Sequence, residues 1–151
     1  MSSHPASITS DADVNSEGRS VLRATTVTVA AALAANLVIW AIASAISDVP
    51  DRFTPLQPGS VAFLTIIGVA AAGGLFAILR SRVAEPAATF RRLVAFAFVI
   101  SLVPDILIWA NRAYEGAAKA ETVLPLMVMH VVTALIVATL LPRLAYSRRS
   151  A

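Results

Sequence analysis

Four long apolar runs, separated by short polar segments, set the pattern of this chain. Residues 24–46 read ATTVTVAAALAANLVIWAIASAI, without a single charge. Three further runs cover residues 59–79, 93–110 and 122–142. A helix crossing the hydrocarbon core of a bilayer needs roughly 20 mainly apolar residues, within a range of about 17–25, and each run meets that length. Backbone polar groups cannot be left open in lipid, so helices are the structure such runs must adopt. The pattern predicts an all-α, integral membrane four-helix bundle with up-down-up-down topology. Residues 1–22 form a Ser-, Asp- and Thr-rich tail without apolar periodicity and are expected to be disordered. The membrane domain is expected over residues 23–146, followed by a basic C-terminus at 147–151.

The first run could be taken for a signal peptide, because Ala43-Ser44-Ala45 has the small residues of a cleavage site. A signal h-region is only about 7–15 residues long. This run is longer, carries Asn36 and follows a polar tail, so a retained span is the expectation.

The connections are short. Residues 47–58, SDVPDRFTPLQP, carry three prolines and read as an extended, irregular outer loop. Residues 111–121, NRAYEGAAKAE, are of mixed charge and read as an extension of the third or fourth helix. Trp40, Trp109 and Tyr114 fall towards the outer side and Tyr146 towards the inner, partly matching an interfacial aromatic belt. Basic residues give the orientation. Arg19, Arg23, Arg80, Arg82, Arg91, Arg92, Arg143, Arg148 and Arg149 lie on one side, against Arg52, Arg112 and Lys119 on the other. That bias places both termini in the cytoplasm of a protein of the cell (plasma) membrane.

Composition agrees with lipid as the solvent. Hydrophobic residues make up 58% of the 151 and charged residues only 14%, against about 25% charged in ordinary soluble domains. The net charge of +3 does not imply nucleic acid, since the arginines flank apolar runs instead of forming one patch. The chain has no cysteine, which excludes disulfides, thiol nucleophiles and thiolate metal sites.

Association of helices in lipid relies on small residues and interhelical hydrogen bonds. The second run offers Gly68, Ala72, Gly73 and Gly74, with Gly68/Ala72 and Ala70/Gly74 as small-xxx-small pairs. These read as packing faces within one bundle, or as a homodimer face on the second helix. Polar groups are costly in hydrocarbon, so Asn36, Asp105 and His130 stand out. At about 1.5 Å per residue they lie roughly 15, 8 and 12 Å from the outer ends of their helices. Thr65 reaches a similar depth, and Ser101 shares the face of Asp105 one turn away. A single polar layer of Asn36, Thr65, Ser101, Asp105 and His130 is therefore expected across all four helices. Pro104 should bend the third helix beside Asp105. An Asp105–His130 pair would supply each group with a partner in low dielectric. That pair can be read as a register-fixing hydrogen bond, as a proton-titratable site or small ligand pocket, or replaced by an Asp105 that reaches outward to Arg112.

Sharper chemistries find little support. A bis-histidine haem has only His4 as a second histidine, and Met127 and Met129 point to different faces, which disfavours copper. There is no phosphate loop, nucleophile elbow, HExxH or paired-carboxylate pattern. No catalytic residue, metal or cofactor is expected.

The fourth run, LPLMVMHVVTALIVATLLPRL, with SLVPDILIWA in the third and GGLFAILR in the second, resembles an uncharacterised family of small bacterial four-helix integral membrane proteins. The resemblance covers roughly residues 24–145. It implies the architecture, supplies no activity, and assigns no role to Asp105. Two classes of function follow. One is a non-enzymatic membrane component or accessory subunit, with lipid, a partner membrane protein or further copies of itself as its contacts. The other is a small oligomeric proton-coupled transporter or permeation element using the Asp/His layer. The tripeptide Ile-Trp-Ala recurs at 39–41 and 108–110, a faint sign of the internal repeat that transport would favour.

Overall fold

The computed structural model describes residues 11–114 and 116–146, with side chains from residue 18 onward. Four helices account for most of them: α1 (Asp11–Ile46), α2 (Pro58–Arg82), α3 (Pro86–Ala110) and α4 (Ala120–Tyr146). Each holds a stretch long and apolar enough to cross a membrane, and there is no strand among the described residues.

Most of the helix ends outrun the apolar runs, because hydropathy marks the lipid slab and not where backbone hydrogen bonding stops. Pro58 and Pro86 start α2 and α3, where a missing N–H costs nothing and the fixed φ suits the first turn. The larger difference is in α1. Residues 11–22, expected to be disordered, are helical. At residues 20–21 the reason is tertiary: Val21 is buried in a cluster with Leu79, Phe90 and Leu141, and Arg80 donates to Ser20 Oγ at 3.2 Å, so the helix gains packing that its polar composition does not announce. Residues 1–10 and 147–151, to which the rest of the tail and the basic C-terminus belong, lie outside the described residues.

The helices form a ring in chain order, α1 packing mainly on α4 and α2, while α3 leans on α4 and, less extensively, on α2. Two apolar clusters fill the interior. One lies at the arginine end: Phe76, Phe90, Leu141, Val69 and Val137 pack there with Val21 and Ala24. Phe76 meets Phe90 edge-on at 4.9 Å between ring centres, and Arg80 stacks over Tyr146 at 5.2 Å.

The second cluster is built partly from loops. Between α1 and α2 a single 3-10 turn, Thr54–Leu56, tucks Phe53 and Leu56 inside. These meet Val123, Leu126 and Met129 of α4 and the buried Ala117 and Ala118 of the second loop. The loop between α1 and α2 is thus a short folded plug, because its two apolar side chains have a core to enter. The second loop ends α3 at Ala110 and turns through left-handed Arg112, Tyr114 and Gly116 (φ 48°, 56° and 81°). Tyr114 is held there edge-on to Phe53 at 5.4 Å. Thr122 Oγ1 then donates to the carbonyl of Ala117 and accepts from the Lys119 N–H, closing the turn into α4.

Candidate functional site

Between the two apolar clusters lies a layer of polar side chains. On α1, Asn36 follows Ala32 of the arginine-end cluster and precedes Ile39, which packs on the other. On α2, Thr65 stands between Val61 and Val69; on α4, His130 and Thr133 stand between Met129 and Val137. Helical periodicity brings these positions to one face of each helix, and antiparallel packing brings them to one level.

The layer resolves into two groups. Asn36, only 4% exposed, donates through Nδ2 to Thr65 Oγ1 and to Thr133 Oγ1, both at 2.9 Å. One amide therefore ties α1 to α2 and α4. Its Oδ1 is buried without a hydrogen-bond partner. Turning the amide over would exchange which half is unpaired without removing the orphan.

Asp105 and His130 make the second group. Asp105 Oδ2 lies 3.0 Å from His130 Nδ1. The same Nδ1 lies 2.8 Å from the carbonyl of Leu126, one turn back on α4. A carbonyl can only accept, so Nδ1 carries a proton and directs it at Leu126. The carboxylate oxygen sits beside that bond at ion-pair distance but forms no hydrogen bond of its own. This fixes the tautomer of the neutral ring and leaves Nε2 as the nitrogen with a lone pair. The His130 side chain is 36% exposed, that of Asp105 only 7%.

Ser101 joins neither group. Its hydroxyl donates to the carbonyl of Phe98 at 2.7 Å, within α3. Pro104 is on the exposed face of α3, which runs on unbroken to Ala110. Of all the side chains of α3, only Phe90 and Asp105 are buried. One apolar and one acidic anchor therefore seat this helix in the bundle.

The small residues of α2 divide between two sides. Gly73 is buried, and a Cβ there would collide with Thr25 of α1; Ala72 packs on the arginine-end cluster. Gly68 and Gly74 face outward, with open space where a Cβ would be.

Thr133 was not among the expected layer residues, although its place three residues after His130 on a membrane helix was the available signal. Phe53 and Leu56 are core residues as well, their signal in the sequence being two apolar residues inside a proline-flanked loop. A cavity of about 250 Å³ opens at the end opposite the arginines, beside Trp40, Ser44, Asp48 and Asp51, but no residue of the polar layer lines it. Among the described residues no group of three or more His, Cys, Asp or Glu side chains could hold a metal ion.

Fold and site together define a multi-pass four-helix membrane protein with a buried polar layer. Residues 16–147 match the model of a family of unknown function, DUF6069, and the chain belongs to that family. No curated protein and no solved structure matches it.

Proposed function

We propose that this chain is a non-enzymatic membrane component, an accessory subunit whose work is to pack against another membrane protein, seated in the cell membrane with both termini cytoplasmic. The observation that carries this reading is the filled interior. Phe53 and Leu56 stop the bundle on one side of the polar layer, and Phe76, Phe90 and Leu141 stop it on the other, all of them fully buried. Between them Asn36 is spent on Thr65 and Thr133, and Ser101 and His130 each bond a carbonyl of their own helix. Helix α3, with only two buried side chains, is the least buried of the four spans and leaves most of its surface to a neighbouring helix. In lipid such contact depends on shape and small residues more than on hydrophobicity, and the outward Gly68 and Gly74 of α2 suit close approach.

A second reading, proton-coupled permeation through Asp105 and His130, is favoured by one observation. The imidazole is partly exposed, while the carboxylate beside it is buried, with its Oδ2 at ion-pair distance from the ring. Intramembrane ionisable groups mark proton relays often enough to merit a direct test. The purified chain is reconstituted into liposomes under a potassium-driven membrane potential, and internal pH is followed with a trapped dye. The accessory reading expects proton entry equal to that of empty liposomes, for wild type and Asp105→Asn alike. Entry above that background that disappears in Asp105→Asn would replace it with the second reading.

A further inference from the structure

We propose that the arginine end of the bundle is a binding surface for anionic phospholipid headgroups, contacted by Arg82, Arg91, Arg92 and Arg143. The proposal stands apart from the question of subunit or conductor.

The fold gathers these side chains. Arg82 closes α2, and the connection to α3 is only residues 83–85, so Arg82, Arg91 and Arg92 belong to one tight hairpin. Arg143 lies in the last turn of α4. Leu141 and Ala145 share a core cluster with Leu79 and Phe90, which sets the end of α4 level with that hairpin. All four arginines are exposed and none has a carboxylate partner among the described residues. Glu85 is the only acidic side chain described at this end.

The opposite end differs. Arg52, Arg112 and Lys119 are set among Asp48, Asp51 and Glu121, and Lys119 pairs with Glu121 at 3.6 Å. Charge at that end is largely compensated, whereas at the arginine end the arginines outnumber the acids even when Asp11, Asp13 and Glu17 on the first turns of α1 are counted with Glu85. The ligand therefore has to be anionic.

It also has to lie where these side chains lie. Each arginine sits at the end of a helix long and apolar enough to cross a membrane, or within two turns of it, and a bilayer around those helices would bring its headgroups to these side chains. Every basic side chain at this end is Arg and none is Lys. The guanidinium fork grips phosphate oxygens in pairs, which an ammonium cannot do. Several such groups within one Debye length add their attraction for an anionic leaflet.

The test uses the full chain in nanodiscs of mixed phosphatidylglycerol and phosphatidylcholine. Native mass spectrometry of the released protein gives the ratio of retained lipids. Wild type is expected to hold phosphatidylglycerol preferentially, and less so as salt rises. The triple variant Arg82→Gln/Arg91→Gln/Arg92→Gln is expected to lower that preference by roughly tenfold or more. Arg52→Gln/Arg112→Gln/Lys119→Gln, which removes the same number of basic groups from the other end, should leave it unchanged. If the first triple does not assemble, Arg92→Gln alone should lower the preference by about two- to fivefold. Equal retention of the two lipids by wild type overturns the proposal. So does an equal loss in both triples, or full displacement of phosphatidylglycerol by inorganic phosphate, which would make this a site for soluble anions.

Discussion

Three glycines within seven residues of α2 should respond to the same substitution with opposite signs. A Cβ built at Gly73 falls on Thr25 of α1, colliding with its Oγ1 and Cγ2 and lying 3.0 Å from its Cβ. Thr25 cannot easily swing aside, because its hydroxyl donates to the carbonyl of Val21 at 2.9 Å. At Gly68 and Gly74 nothing lies within 4 Å of the added carbon. Replacing Gly by Ala inside a helix gains up to about 1 kcal/mol of propensity at each position. Overpacking a close contact costs about 1–3 kcal/mol. Gly68→Ala and Gly74→Ala should therefore be neutral to mildly stabilising. Gly73→Ala should be less stable than either by about 1–3 kcal/mol, since the propensity gains cancel in the comparison. Equilibrium unfolding in mixed micelles, titrated with denaturing detergent and followed by circular dichroism, measures the difference. Adding Thr25→Ala removes the two colliding atoms and should restore most of the loss. If Gly73→Ala matches Gly68→Ala, or Thr25→Ala brings no rescue, α1 and α2 do not approach here as described. The outward pair carries a second readout: weaker self-association in Gly68→Ala would reveal a second copy seated on α2.

Three further outcomes are expected. Asp105→Leu and His130→Leu should each destabilise the bundle, and the double variant should recover by about 0.6 kcal/mol, up to about 1.7, the range found for polar pairs in membranes; strict additivity in the same unfolding assay would mean that the 3.0 Å approach carries no coupling. Phe53→Ala should cost about 3–5 kcal/mol, as for other fully buried aromatic side chains, and a loss under about 1 kcal/mol would mean that the loop plug is not seated. Reporter fusions in residues 80–92 and after Pro142 should report cytoplasm, and those in 47–58 and 111–121 the outside, following the arginine bias; an external signal from the 80–92 loop would reverse the proposed orientation.

The number and kind of elements were legible in the sequence because lipid leaves the backbone no other choice. Four runs of membrane length must be four helices, and short loops must make neighbours antiparallel. That Asn36, Asp105 and His130 needed partners was equally legible, since polar groups are conspicuous in apolar runs. Their depth could be estimated by counting residues, which brought Thr65 to the same level. Facing could not be read in this way. A helix that is apolar all round has no polar side to say which way it turns, so α2 gave no hint that Gly73 goes inward while Gly68 and Gly74 go outward. Only the packed bundle decided that Asn36 bridges Thr65 and Thr133, that Ser101 turns back to its own helix, and that the Leu126 carbonyl accepts a hydrogen bond from His130 Nδ1. The same holds for α1, which meets Arg80 of α2 through Ser20 before its apolar run begins, and for the loop between α1 and α2, where Phe53 and Leu56 find a core built by distant residues. Hydropathy is a property of each residue and survives in the sequence, but a contact belongs to two residues, and the second is fixed only when the helices meet.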